Sequence, residues 1–549
     1  MTNYNLLQID EYNYFDLAMQ KKQDGDIISS LVILRNLALE GTKNINVYAE
    51  IADIYYEMEI YPMCQEYWFR YLSHTNKSNL KANAYRGLGA SFCLDRELEL
   101  MTYYYDKKFM LGGEHALEYD EVLLDYLEFH EKEFPQFYVA YPYDKMSAKS
   151  LIRSGLEALE NNDVSAAIER FSMVSPNDER FSEAVYRTAA CMGEIGKGED
   201  VLPYLKEQLE RTDNKSRIAL FICDRLEENS KELKKYLDIA ASGGLEDAHS
   251  YYQIAFYYCQ LGLTEQALMC LDKSLEFNSY QVLSLYLKGV IYYNKGEYGV
   301  AQKYFKMLYD ITNDLVSLYA FKLCLNEEER KSVEVLPYKY GLPEKEKTKR
   351  LALVAYYVSG GTKAIKKAKT EELMDLAEFV FWFAHNLEDE TVRTFIACGS
   401  SRLRKYFIDK LLSQSIKNIT KMAIVESLVL AGYSKKLDIV FDGIYLKVKL
   451  LPCEFEFGNS EVFTRAYAKA VALSFPFEEN LKELQDITYK FYYTLQTNGK
   501  LNKVKNVEAL TAIIIMLSNE KVYKTLSENK FLVASDDDIK NILSLIEHL

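Results

Sequence analysis

The chain has 549 residues and a formal net charge of -15, and 49% of its residues are hydrophobic. Because affinity for phosphates comes from clustered lysine and arginine, this charge argues against a general binder of nucleic acids or anionic membranes. Only 24 glycines and 9 prolines occur, which favours long helical stretches with few long loops.

The amino-terminal residues 1–5 lack the basic head and apolar core of a signal peptide. The longest apolar run, residues 510–517, is far shorter than the roughly 18–20 residues that span a bilayer. Nine cysteines are scattered from Cys64 to Cys453 without a CxxC pair, which predicts buried thiols in a reducing compartment. We therefore expect a cytoplasmic protein with no metal and no cofactor.

The first predicted elements are three units with a small residue at position 8 and a large residue at position 24. They start at Glu11, Ile45 and Ala82. A connector is expected at residues 116–147, where Pro135 and Pro142 stand among aromatic residues. So many aromatics favour an ordered bend over a flexible linker.

A second group of five units follows, starting at Ala148, Ser182, Ser216, Ala248 and Val282. The unit at Ser216 is degenerate and two residues short. The last two units repeat each other at an offset of 34, so that Ala255 corresponds to Gly289, Ala267 to Ala301 and Leu271 to Phe305.

This period of 34 residues, with small residues at positions 8 and 20, an aromatic residue at 11 and a large one at 24, resembles the tetratricopeptide repeat (TPR), a helix–turn–helix unit. The resemblance covers about residues 11–315. It implies an all-α fold with a right-handed TPR α-solenoid, in groups at residues 1–115 and 148–325. The small residues are expected where the two helices of a unit cross closely.

Beyond the repeats, residues 326–346 are expected to form a linker, with Pro337 and Pro343 as its breaks. Residues 347–549 keep helical periodicity without the 34-residue register, which suggests an irregular, HEAT-like helical domain. Within it, residues 437–450 read as two β-rich runs around Asp442-Gly443, a strong hairpin signal. We expect this hairpin to cover a helix face; the alternative is an edge that docks a partner's strand.

The sequence carries no recognised catalytic motif, and we expect no enzyme activity. Residues 359–363 faintly resemble a phosphate loop but lack the GxxxxGK[ST] spacing, which favours a helix break. The lysine-rich stretch 345–369 is more typical of a solvated face than of a site for an acidic partner. An enzyme with an unrecognised site in the C-terminal domain remains an alternative.

In proteins that this sequence resembles, the first helix of each unit lines a concave groove. The last two units present an aromatic stripe at the groove positions: Tyr252, Phe256, Tyr286, Val290 and Tyr293. The resemblance implies an interaction scaffold that binds a peptide segment of a partner protein through this stripe. One alternative is that the stripe is covered by a further helix of the chain itself. Another is a regulatory receptor for a short peptide, without a DNA-binding domain because residues 1–10 leave no room for one.

Overall fold

The computed structural model describes residues 11–112, 147–227, 230–333, 335–387, 389–453, 460–477, 481–529, 531–532 and 534–545. The chain forms two compact units, one of Met1–Leu123 with Glu344–Leu549 and one of Leu124–Pro343. The predicted connector at 116–147 lies almost wholly outside the described residues. The predicted groups at 1–115 and 347–549 are parts of one unit, whereas the sequence had suggested separate domains.

Residues 11–112, the described amino-terminal part of the first unit, form three helix pairs, in agreement with the three predicted units. The helices are α1 Glu11–Gln23, α2 Ile27–Glu40, α3 Asn46–Glu57, α4 Tyr61–Ser73, α5 Ser78–Leu94 and α6 Leu98–Met110.

In the described part of the second unit, from residue 147 onward, five further helix pairs are followed by two single helices. The pairs are α7 Ala148–Glu160 with α8 Val164–Ser172, α9 Phe181–Glu194 with α10 Gly198–Arg211, α11 Ser216–Cys223 with α12 Leu233–Ala241, α13 Ala248–Gln260 with α14 Thr264–Phe277, and α15 Val282–Asn294 with α16 Tyr298–Thr312. The single helices are α17 Leu315–Leu325 and α18 Glu327–Ser332.

The turn inside each pair confirms the 34-residue register. Position 15 adopts a positive φ in seven of the eight units: Gly25, Glu59, Arg96, Asn162, Gly196, Gly262 and Gly296. This left-handed conformation ends the first helix and turns the chain into the second, and it explains why glycine recurs there.

Close packing between positions 8 and 24 explains the small residues. A Cβ atom added to Gly289 would lie 2.6 Å from a ring carbon of Phe305, and one added to Gly155 would lie 2.3 Å from Phe171. The aromatic residue at position 24 therefore packs over position 8 of its own unit. Ala301 at position 20 is fully buried in the same helix pair.

The described carboxy-terminal residues of the first unit are helical apart from one hairpin, and the helices have irregular lengths. They are α19 Glu344–Lys367, α20 Thr370–Phe383, α21 Asp389–Lys410, α22 Asn418–Leu430, α23 Ser460–Ser474, α24 Lys482–Thr497, α25 Val507–Ser518, α26 Glu520–Glu528 and α27 Asp536–Leu543. Helix α19 is interrupted at Gly361, where φ is +57°. The predicted helix break at residues 359–363 is confirmed.

The predicted hairpin is also confirmed, as an antiparallel pair of β1 Lys436–Phe441 and β2 Ile444–Lys449. Asp442 and Gly443 both have positive φ, 48° and 75°. Two such residues in succession give a turn whose twist matches that of the flanking strands.

The hairpin packs against helices on two sides, which joins the ends of the chain into one unit. On one side, the buried Lys421 Nζ of α22 donates to the Val440 carbonyl at 2.7 Å. On the other, the Tyr104 hydroxyl of α6 donates to the Gly443 carbonyl at 2.6 Å and accepts from the Tyr445 amide at 3.0 Å. The hairpin thus covers a helix face, as expected, and it also contacts α6 of the third TPR-like pair.

Candidate peptide-binding groove

The first helices of the second unit carry the predicted binding residues, and the structure divides these residues into two sets. Tyr252 and Phe256 of α13 are half-buried. Tyr286, Val290 and Tyr293 of α15 are 1%, 0% and 1% exposed. The prediction of five accessible groove residues is therefore wrong for the three on α15.

Residues 335–343, which we call the strap, cover α15. The Tyr286 hydroxyl lies 3.1 Å from the carbonyl oxygens of both Pro337 and Gly341 and donates toward them. The Asn294 amide group donates to the Leu336 carbonyl at 3.0 Å and accepts from the Leu336 amide at 2.8 Å. The strap therefore lies on α15 in a conformation without helix or strand.

Apolar contacts complete the attachment of the strap. Leu336 and Leu342 are 2% and 1% exposed. The Tyr340 ring packs edge-on against Tyr286, with 4.7 Å between centroids, and its hydroxyl donates to the Asp314 carboxylate. Just before the strap, the Val333 carbonyl accepts from the Tyr293 hydroxyl at 2.7 Å.

Of the predicted linker at 326–346, residues 335–343 are therefore a packed segment, whereas Glu327–Ser332 form the exposed helix α18. The sequence did contain a signal for the packed segment: apolar residues alternate with other residues at Leu336, Tyr338, Tyr340 and Leu342. Such alternation is typical of an extended segment that buries one side. The alternative that the chain covers its own stripe is correct for α15, although an extended segment covers it rather than a helix.

Next to the strap, the groove retains a set of accessible aromatic residues on consecutive first helices, which we call the aromatic row: Tyr186 of α9, Phe221 of α11, and Tyr252 and Phe256 of α13. Tyr186 is 54% exposed, and its ring lies 5.0 Å from that of Phe221. The rings of Tyr252 and Phe256 are 6.3 Å apart. Phe221 was missed in the sequence because its unit is two residues short and out of register.

Polar groups stand at the edge of the aromatic row. The ring of the exposed His249 lies 5.9 Å from that of Tyr252. The Tyr257 hydroxyl donates to the Asp224 carboxylate at 2.7 Å. Burial raises the pKa of Asp224, while the Tyr257 hydrogen bond and the charges of Arg225 and His249 act against this rise. The row is thus an apolar strip with a carboxylate and an imidazole beside it.

The groove of the first three helix pairs has a different character. Lys22 Nζ lies 3.3 Å from Glu50 and 3.5 Å from Glu57. Burial and the charge of Glu50 raise the pKa of the neighbouring Asp53 to about 6, although Lys22 lowers it. This surface is occupied by charges that already pair with one another, so the aromatic row is the stronger candidate for a peptide site.

The lysine-rich stretch at 345–369 is partly neutralised by acidic neighbours. Lys347 pairs with Glu344 at 2.6 Å, and Arg350 pairs with Glu346 at 2.8 Å and Asp375 at 2.7 Å. Among the described residues, no three His, Cys, Asp or Glu side chains are grouped to hold a metal ion. No helix in the described ranges is both long and apolar enough to cross a membrane.

No protein-family model and no curated protein matches the chain. Among solved structures, it is similar to the C-terminal part of a TPR repeat-containing protein from Cytophaga hutchinsonii, with 11% identity, coverage of 58% of this chain and 99% of that one, and a TM-score of 0.17. It is also similar to the TPR domain of P58(IPK), with 13% identity, coverage of 78% and 99%, and a TM-score of 0.25.

Within this chain, the period of 34, the turn at position 15 and the contact between positions 8 and 24 define the arrangement. The described residues are all-α apart from one small antiparallel hairpin, and those in 11–110 and 148–312 form TPR-type helix pairs.

Proposed function

We propose that the protein is an interaction scaffold whose second unit binds an extended segment of a partner protein along the aromatic row. The chain acts in this proposal by binding rather than by catalysis. Its partner is a polypeptide and not a nucleic acid, because the net charge of -15 disfavours phosphate. Seven of the nine cysteines are buried, which suits a reducing, cytoplasmic location.

The observation that carries the proposal is the position of the row directly beside a groove that already holds an extended segment. Tyr286 and Asn294 of α15 hydrogen-bond to the backbone of the strap. The aromatic row lies on α9, α11 and α13, which are the preceding first helices of the same series. Partly exposed tyrosine and phenylalanine rings give a partner large contact area at a small cost in conformational entropy.

The row also offers the two kinds of contact that an extended segment needs. The rings of Tyr186 and Phe221, and those of Tyr252 and Phe256, provide two places for apolar anchor residues. His249 and Asp224 lie beside them, where they are placed to bind main-chain or polar groups of the partner. Aromatic anchors with a polar border are typical of peptide-binding surfaces.

The proposal is tested by selecting phage-displayed random peptides on the full chain and measuring a selected peptide by fluorescence polarisation. The test variant is Tyr252→Ser with Phe256→Ser. We expect it to weaken binding by more than about 30-fold, as for a hot spot of about 2 kcal/mol.

The matched control is Met269→Ser, at a residue 66% exposed on the second helix of the same pair. It should bind as the wild type does. Equal binding by the row variant would place the peptide elsewhere. Loss of its helical circular dichroism would show that the row serves the core.

A further inference from the structure

The strap is held in the way that a peptide ligand is held. Five hydrogen bonds join α15 to the strap and to Val333, and in each of them the strap or Val333 contributes a main-chain group. The α15 side chains that take part are those of Tyr286, Tyr293 and Asn294. Contacts to the main chain can be made by many sequences, so side chains must supply the selectivity.

Four strap side chains supply that selectivity. Tyr338 packs against the hydrophobic core of the second unit and makes a side-chain hydrogen bond with Asn294. Leu336 and Leu342, six residues apart, are almost completely buried. Between them, the Tyr340 ring packs against Tyr286 and its hydroxyl reaches the Asp314 carboxylate. Lys339, by contrast, is exposed. The strap thus defines a ligand chemistry: two leucines at a spacing of six, with a tyrosine two residues after the first and another two residues before the second.

We propose that the strap is an internal competitor, which an extended partner segment of the same chemistry displaces from α15. This inference rests on the proposed function, since the displaced strap would extend the partner's site from the aromatic row onto Tyr286, Tyr293 and Asn294. While the strap is bound, these three residues are unavailable. The apparent affinity for the partner is therefore proportional to the fraction of molecules from which the strap has dissociated, and it is low when that fraction is small.

A segment of the same chain competes strongly because its effective concentration is high, in the millimolar range for a short connection. An outside peptide with equal contacts therefore binds the wild type weakly. Weakening the strap's own apolar contacts, without changing α15, removes this competition and should make the outside peptide bind more tightly.

The experiment uses a fluorescein-labelled peptide with the sequence of residues 333–343, VEVLPYKYGLP, titrated into the full chain. The strap-released variant is Leu336→Ser with Leu342→Ser. We expect the peptide to bind this variant at least about tenfold more tightly than the wild type. Adding Tyr293→Phe and Asn294→Ala to the released variant should abolish the gain, and a peptide with both leucines changed to serine should not bind.

Equal affinity for wild type and released variant would overturn the inference, as would tight binding that survives the changes at Tyr293 and Asn294. If circular dichroism shows that the double variant is unfolded, Leu336→Ala serves as the milder release and is judged by the same criteria. A failure of the proposed function is distinguished by a different variant. Tyr252→Ser with Phe256→Ser should leave binding of the strap peptide intact, because that peptide is held by α15.

Discussion

Replacing Gly289 by alanine is expected to destabilise the last helix pair through a collision with Phe305. An added Cβ would lie 2.6, 2.9 and 3.0 Å from three ring atoms, whereas ordinary contact begins at 3.4 Å. Phe305 is fully buried and cannot swing into solvent. Overpacking of this kind costs roughly 1–3 kcal/mol, and the better helix propensity of alanine returns about 1 kcal/mol. The net loss should be about 1 kcal/mol.

The other units show how the collision is avoided. Units with glycine at position 8 have an aromatic residue at position 24, as in Gly155 with Phe171, and units with alanine have leucine, as in Ala255 with Leu271. The unit with Ala52 and Trp68 departs from this rule, but there the Trp68 ring lies over Gly87 of the next unit, 2.2 Å from the place of a Cβ.

Changing Phe305 to leucine should therefore rescue Gly289→Ala, because the double variant reproduces the pair found in the preceding unit. Phe305→Leu alone should cost about 1 kcal/mol through the cavity that it leaves. Urea unfolding followed by circular dichroism would compare the wild type, both single variants and the double variant. We expect a coupling of about 1 kcal/mol or more. Additive losses would refute the packing between positions 8 and 24.

Three further changes probe other contacts. Ala301→Leu should lower the free energy of unfolding by roughly 1–3 kcal/mol, because position 20 is fully buried, and an unchanged melting temperature would contradict the register. Tyr104→Phe should cost roughly 1–3 kcal/mol in urea unfolding, because its buried hydroxyl makes two hydrogen bonds to the hairpin, whereas Tyr103→Phe on the same helix should cost little. Burial lowers the pKa of Lys421 to about 8, against an ordinary 10.5, which corresponds to roughly 3 kcal/mol of destabilisation at neutral pH. Since the unfolded chain holds this proton up to a higher pH, the penalty is present below pH 8 and is relieved as the pH rises toward 10.5. Lys421→Met removes this penalty but also the hydrogen bond to the Val440 carbonyl, a loss of roughly 1–3 kcal/mol. Its stability relative to the wild type should therefore be highest below pH 8 and should fall between pH 8 and 10, and a difference that stays constant over this range would exclude this cause.

The repeat units were predictable because the residues that pack against each other recur at fixed positions in each unit. Gly289 and Phe305 show the small and large residues that a close crossing needs, and Gly296 occupies the turn that requires a positive φ. The hairpin was predictable for a similar reason, since Asp442 and Gly443 tolerate the left-handed conformation in succession. Both predictions rest on residue types and on spacings within a single repeat unit or a single turn.

The cover over α15 was only partly predictable. The apolar alternation at residues 336–342 indicates an extended segment that buries one side, but the main-chain groups through which the strap binds α15 have no sequence signature. Tyr286 and Tyr293 therefore looked like exposed anchors, although their hydroxyls bond to carbonyls about 40 to 55 positions further along the chain. The contact of Tyr104 with the hairpin turn spans 339 positions. Contacts between residues so far apart in the sequence depend on tertiary packing, which the periodicity of the sequence does not reveal.

The central claim, that a partner segment binds along the aromatic row, is tested most directly by hydrogen exchange of the full chain with and without a selected peptide. Binding to the row would slow amide exchange in the helices that carry Tyr186, Phe221 and Tyr252. We therefore predict that protection concentrates in α9, α11 and α13. Protection confined to residues 11–112 or 344–545, with these three helices unchanged, would contradict the account.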